Sequence, residues 1–465
     1  MTTRPPFSRL LLGASILGLC LGAGPLMAET IFTPTSDGFQ GRVGAGPAGE
    51  ASAIHAGDKA VISGQQLTPG QELTLMRGNT VLNADGPIVV DPEGAFTFEI
   101  DIDAEAATGL QPIVVIAEDP AAATVVDLKI SPEIPVEGAD KYDIASAPVV
   151  RGLYQVAYDE AENAIFVTSS IGRPPVRESV LAKVDPETLE VLAQTTPEAA
   201  PPRPDGSEGG VFALYGIDVD DANGNVWVTN TRQDTLAVYK AGDLSLVKQF
   251  EPGTLPHGRD VLVDEANGRA YASGTFTNQI KVFDAGSLEE LDPITIPSQQ
   301  RGEEFSVMSL DLDPESGKLV TVSLSTPEAA IVDLASGEVK VIALPGAQSA
   351  SGVAYDAQDG LIFVASQATD NLLIVNAESG EVLHDVEVGA QPLNVAFEPQ
   401  SRLAYVANRA SGTIAVVDTD GNIVANLEAG QRPNQLRADG KGNVFAVNMS
   451  DGAEGAGSVW RIRLK

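Results

Sequence analysis

The chain has 465 residues, with 64 Asp and Glu against 29 Lys and Arg, a formal charge of −35 and one cysteine. That balance opposes binding to nucleic acid or to anionic membranes, both of which need basic patches, and it favours a soluble monomer. A single cysteine excludes a disulfide framework and any cysteine-based metal centre, so stability must come from a core, which a chain of this length can bury.

Met1–Ala28 has the layout of a secretory signal. Arg4 and Arg9 form a positive start, Leu10–Leu21 an apolar core, and Leu26-Met27-Ala28 a small-residue cleavage site. Cleavage near Ala28 would remove Cys20 and leave a periplasmic or secreted protein with no membrane insertion. Residues 29–56, rich in Gly, Ala, Ser and Pro, read as a flexible mature N-terminus.

Short strands follow at Ala60–Ser63, Glu72–Arg77, Ile88–Val90, Ala95–Ile100, Ile113–Ala117 and Val125–Ile130, with turn signals at Pro69-Gly70 and Glu93-Gly94. Phe96, Phe98 and Ile100 alternate with Thr97 and Glu99, as in a half-buried strand. Residues 57–130 are therefore expected to form a small Ig-like β-sandwich, and 131–141, with two prolines, a linker.

From residue 142 a repeat takes over. Seven hexamers end in an acid: Tyr154–Asp159, Tyr215–Asp220, Arg259–Asp264, Met308–Asp313, Ser351–Asp356, Leu393–Glu398 and Asn434–Asp439. A second strand follows each (AIFVTS, NVWVTN, LAYVAN and their kin), then a third (LAVYK, IKVFD, IAVVD). After one longer step, lengthened by the Pro-rich insert Thr196–Gly209, the closing acids recur every 41 to 49 residues. A period of 40–50 residues with four strands per unit predicts an all-β fold, a seven-bladed β-propeller over 142–465. The chain ends on a third strand, so the outermost strand of the last blade must come from elsewhere. Asp143–Val150 is the expected donor.

The strings YVAN and WVTN, the strand IAVVD and the lead-in Gly430–Pro433 resemble the YVTN-repeat β-propeller family. The opening YQVAYDEAENAIFVTSS and the stretch RDVLVDEANGRAYASG are similar to its YncE-like periplasmic members. The resemblance covers about two-thirds of the chain and implies a propeller fold, which hosts many functions.

Inner strands line the channel of a propeller, and the loops entering them form its mouth. The aligned hexamers place Tyr154, Tyr215, Arg259, Met308, Ser351, Leu393 and Asn434 around that mouth, with His257, Asn394, Arg432 and Gln435 beside them. Aromatic, cationic and amide groups together suit a small polar or anionic ligand. His257 and Asp260 are the one pair suggesting acid–base chemistry. The three histidines are far apart, which argues against a histidine metal site, and no cofactor is indicated. The stretch Asp218–Asn225 mimics a calcium loop, but its Gly is one place late, so a hairpin turn is expected. No set of converging channel acids of the kind metal-dependent lactonase propellers use is found, and the aligned acids close the inner strands at their far ends. In overall fold the chain also resembles propeller subunits of quinone-dependent dehydrogenases, yet Trp227 and Trp460 are its only tryptophans, too few for a tryptophan docking repeat.

These observations predict an exported, non-catalytic binding or scaffold protein that recognises a small polar ligand or an envelope protein. The alternatives are a lactonase-like hydrolase or an accessory subunit of a quinone-dependent oxidoreductase, with His257, Arg259 and Asp260 nearest the chemistry. A third reading is a cell-envelope interaction protein.

Overall fold

Strands and turns make up almost all of the described residues of the computed structural model, which are 35, 36, 38–449 and 456–465. The expected signal segment lies outside the described residues. The first unit uses eight strands: β1 (Arg42–Pro47), β2 (Lys59–Gln65), β3 (Glu72–Arg77), β4 (Thr80–Val81), β5 (Ile88–Val89), β6 (Phe96–Asp101), β7 (Gly109–Glu118) and β8 (Ala122–Ile130). They form two sheets, β1-β2-β6 and β4-β3-β7-β8, with β5 on the side of β3. Ile62, Leu73, Leu75, Ile113 and Val115 fill the space between them. Residues 42–56, expected to be flexible, carry β1 and the buried Ile54. Their Gly and Ala content misled: β1 pairs along the whole of β2 through its backbone and needs no large side chains to do so.

Seven four-stranded antiparallel sheets follow. Their inner strands are Leu153–Asp159, Leu214–Asp220, Gly258–Asp264, Val307–Asp313, Ala350–Asp356, Pro392–Glu398 and Pro433–Ala438. Each touches the next, and the last touches the first, so the ring closes. The second and third strands of most sheets are buried on both faces, which is why they read as continuous apolar runs such as NVWVTN and LAYVAN. The seventh sheet takes its outer strand from β9 (Tyr142–Pro148), which pairs with Ser458–Leu464 in full register. This is the closure the sequence required, and it ties the two ends of the propeller together.

The hexamer acids work locally. Asp159 accepts from the Glu162 backbone N–H at 2.7 Å, Asp264 from Asn267 at 3.1 Å, and Asp439 from Asn443 at 2.9 Å. Each caps the turn after an inner strand. The calcium-like stretch is such a turn, with Asn223 N–H donating to Asp220 at 3.1 Å.

The sandwich is fastened to the ring. Lys129 Nζ lies 2.6 Å from Asp370 Oδ1 and donates to the Gln367 carbonyl at 2.8 Å. The segment expected as a linker runs along the outer strand of the sixth sheet, where Glu137 and Asn426 exchange backbone hydrogen bonds at 3.0 Å. Gly138 makes this approach possible: at φ 81° a Cβ would sit 2.8 Å from the Ala425 side chain.

Candidate functional site

All seven inner strands are bulged at or beside the first residue of the hexamer: the register shifts at Leu153/Val156, Leu214/Ile217, Gly258/Asp260 and their equivalents. A bulge re-aims the side chain that sits on it. On the face where the inner strands begin, the leading face, this gathers a continuous group. The Tyr154 and Tyr215 rings meet edge to face at 4.3 Å. The Arg259 guanidinium stacks 5.6 Å from the Tyr154 ring, and Arg232 lies 5.7 Å from the Tyr215 ring while its Nε donates to the Tyr215 hydroxyl at 3.1 Å.

The Pro-rich insert supports this group. Val211 N–H donates to the Val176 carbonyl at 2.8 Å, and Ala200 N–H to Gly210 at 2.9 Å. Val176 and Ala213 then pack with Tyr215 into a small core against Tyr154 and Val211. The insert is folded, its ends hydrogen-bonded to the segment that packs on Tyr215.

His257 stands beside this group, half-buried at a positive φ of 46°, with its backbone N–H on Asp234 Oδ1 at 2.7 Å. Its ring is 5.3 Å from that of Phe276, which is 71% exposed. Burial, then repulsion from Arg232 and Arg259, holds the imidazole below its usual pKa although Asp234 opposes this, so it is neutral around pH 7.

The pairing of His257 with Asp260 is not formed. Asp260 turns into the channel, where Oδ1 accepts from Val261 N–H at 3.2 Å and Oδ2 from Leu310 N–H at 3.1 Å. Adjacent residues on a strand point to opposite sides, and the bulge at Arg259 does not bring Asp260 back. Three other expected ligand residues are likewise ties between neighbouring sheets. Gln435 Oε1 accepts from Val156 N–H at 2.9 Å, Asn394 Oδ1 from Leu436 N–H at 3.0 Å, and Asn434 Nδ2 donates to the Tyr154 carbonyl at 2.6 Å. Met308 belongs to the apolar core between the fourth and fifth sheets, although its sulfur accepts from Thr275 Oγ1 at 3.7 Å. Ser351 Oγ donates to the Leu393 carbonyl at 2.8 Å. Arg432 is exposed in the loop leading into the seventh inner strand.

These ties follow a rule. Inner strands present an unpaired edge to the channel, and a side chain of the preceding sheet satisfies it. Gln155 accepts from Ile217 N–H at 3.0 Å, Asp218 from Val263 N–H at 2.8 Å, and Asp311 from Tyr355 N–H at 2.7 Å. Glycine also lets neighbouring inner strands approach: a Cβ on Gly352 would lie 2.6 Å from the Asn394 Cα.

Three hexamer acids other than the closing ones do face the channel. Asp218 and Asp311 occupy the fourth hexamer position, facing inward, and Asp260 the second. With Arg437 they line the channel, around a cavity of about 210 Å³ that touches Asp260, Asp311 and Arg437 and a second of about 490 Å³ that touches Asp218 and Arg437. Arg437 Nη2 is 3.8 Å from Asp218 Oδ1. Burial pushes Asp218 and Asp311 up to about 6 against the pull of Arg437 and of their backbone hydrogen bonds. Burial opposes the charge on Arg437, but the three carboxylates outweigh it and hold the guanidinium above its ordinary value. The signal was available in the aligned hexamers, whose fourth position elsewhere holds Ala157, Leu262, Ala354 and Ala396. Beyond the cluster, the opposite mouth is ringed by Glu160, Asp221, Glu265 and Asp439. Among the described residues, no group of three or more His, Cys, Asp or Glu side chains is arranged to hold a metal ion.

No protein-family model matches the chain. Over 322 residues, 66% of this chain and 85% of the relative, it is 25% identical to the uncharacterized protein YncE of Salmonella typhimurium, and it is 24% identical to YncE of Salmonella typhi over the same span. Among solved structures it resembles U3-55K (TM-score 0.55, 11% identity, 71% of this chain and all of that one) and streptogramin B lyase (TM-score 0.54, 10% identity, the same coverage). At those identities the likeness is one of fold. In sequence the chain is similar to the YncE proteins, and its fold is a β-propeller.

Proposed function

We propose that the protein is an exported binding protein that uses the leading mouth of the propeller to hold a small, negatively charged ligand. The observation that carries this reading is the contrast between the two mouths. In a chain of formal charge −35, the leading mouth collects Arg232, Arg259 and Arg432 with Tyr154, Tyr215 and the exposed Phe276, while the opposite mouth is ringed by carboxylates. Arginines gathered beside aromatic rings attract anions locally even in a negative molecule. Export is supported by the layout of residues 1–28.

The channel carboxylates, two of them held near pH 6, are the feature closest to an acid–base enzyme. Asp218 and Asp311 each hold a backbone N–H of the next sheet, and Asp260 holds two. Groups so committed serve the ring, which supports binding over catalysis.

The test is native mass spectrometry of the mature protein purified from its own cells. A co-purifying small molecule that is lost from a Phe276→Ala, Arg232→Ala double variant and retained by a Glu160→Gln, Asp221→Asn variant supports the reading. A ligand that is lost only from the second variant contradicts it.

A further inference from the structure

Arg259 is only 6% exposed, yet its Nε and Nη2 have no hydrogen-bond partner. Those two atoms share one edge of the guanidinium, the fork that takes both oxygens of a planar anion. Among the described residues no carboxylate pairs with it. Asp260, the next residue, spends its oxygens in the channel. The charge is met only by the face of Tyr154. An unfilled, buried fork is among the most costly arrangements a fold can keep, because its donors have lost water and gained nothing.

The surroundings say what would fill it. Tyr215 is a fixed wall, held by Arg232 and packed against Val176 and Ala213. Tyr154 is only half-buried, and its ring lies over the guanidinium. Phe276 stands exposed at the rim against His257. Arg259 is the buried cation of this group; Arg232 keeps its charge but is exposed, with its Nε on the Tyr215 hydroxyl. A carboxylate fills the planar fork with both oxygens and brings one charge for the one buried guanidinium.

We infer that Arg259 is the anchor of a carboxylate subsite: a small monocarboxylate with an aromatic body displaces the Tyr154 ring, sets both oxygens on Nε and Nη2, and lays its body against Tyr215. This deepens the proposed function and rests on the leading mouth being the binding face. Tyr154 then exchanges one π-contact with Arg259 for stacking against the ligand.

The test uses the mature protein and three probes, benzoate, benzamide and inorganic phosphate, followed by titration calorimetry and saturation-transfer NMR. Benzoate is expected to bind saturably, and Arg259→Met to weaken it about 10- to 150-fold, the range for hydrogen bonds to a charged group. Arg259→Lys, which keeps the charge but not the fork, should fall between the two, and benzamide and phosphate should bind far more weakly. Benzoate that fails to bind the wild type, binds Arg259→Met equally well, or is matched by benzamide or phosphate overturns the assignment. If benzoate binding survives Arg259→Met but is lost from the Phe276→Ala, Arg232→Ala variant, the mouth is the binding face and only the role of Arg259 falls. Thermal melting guards against misfolding: Arg259→Met should melt no lower than the wild type, and a lower melting temperature would mark the guanidinium as structural and refute its role as an anchor held empty.

Discussion

Replacing Asp218 with Asn should stabilise the protein at neutral pH and do little in mild acid. Asn keeps an oxygen to accept the Val263 N–H, and Arg437 keeps Asp260 and Asp311. What it removes is the charge. Asp218 is pushed from 3.8 to about 6, so the fold favours its protonated form. The sign follows: the contribution of the group is fully present below its unfolded pKa and is lost as pH rises through about 6. Two pKa units correspond to about 3 kcal/mol, and because the side chain keeps some contact with the channel we expect about 1–2 kcal/mol of gain at pH 7.5. Asp311 is raised to the same value by the same burial, so Asp311→Asn should behave alike. The two share Arg437, so the double variant should gain less than the sum. The assay is thermal or urea unfolding of the mature protein at several pH values, comparing the difference between wild type and variant rather than either alone. That cancels the repulsion of the other acidic groups. The difference should shrink towards zero as pH falls from about 7.5 to about 4.5. A variant that is less stable than the wild type at neutral pH, by an amount that shrinks in acid, would show that the bond to Arg437 outweighs burial and would refute the reasoning.

Three further outcomes follow from the same geometry. Gly352→Ala should destabilise the ring by about 1–3 kcal/mol, since its Cβ must push against the Asn394 backbone at 2.6 Å, and denaturant unfolding checks this. Deleting Tyr142–Pro148 removes the outer strand of the seventh sheet and exposes a paired edge of seven residues. The product should lose its cooperative melting and aggregate, as seen by calorimetry and light scattering. Lys129→Met leaves Asp370 buried without its partner and removes a tie between sandwich and ring, so the interdomain segments near Gln367 should exchange amide hydrogens faster.

The propeller was legible because its signal is redundant. Strand runs such as LAYVAN and IAVVD recur in register, and turn acids mark each end, so an error in one copy is corrected by the others. The closing strand was legible by elimination, since the last unit lacked one. β1 was not, because backbone pairing leaves no trace in a Gly- and Ala-rich string. At the mouth, Tyr154, Tyr215, Arg259 and His257 were placed by alignment alone, and they do come together. Arg232 and Phe276 were missed because they lie in loops between second and third strands, whose approach to the mouth depends on the curl of each sheet. Asn394, Asn434 and Gln435 were misassigned as ligand groups for a related reason. The sequence shows that an amide sits at a hexamer position but not that the facing strand offers it an unpaired N–H.

The most direct test of the central claim, that the leading mouth is the recognition face, is site-specific photocrosslinking in living cells. A benzoylphenylalanine group is placed at the position of Phe276 in one strain and at the position of Glu160, on the opposite mouth, in another. The account predicts a discrete adduct from position 276, identified by its mass, and none from position 160. Adducts from position 160 alone would contradict it and move the search to the acidic end of the channel.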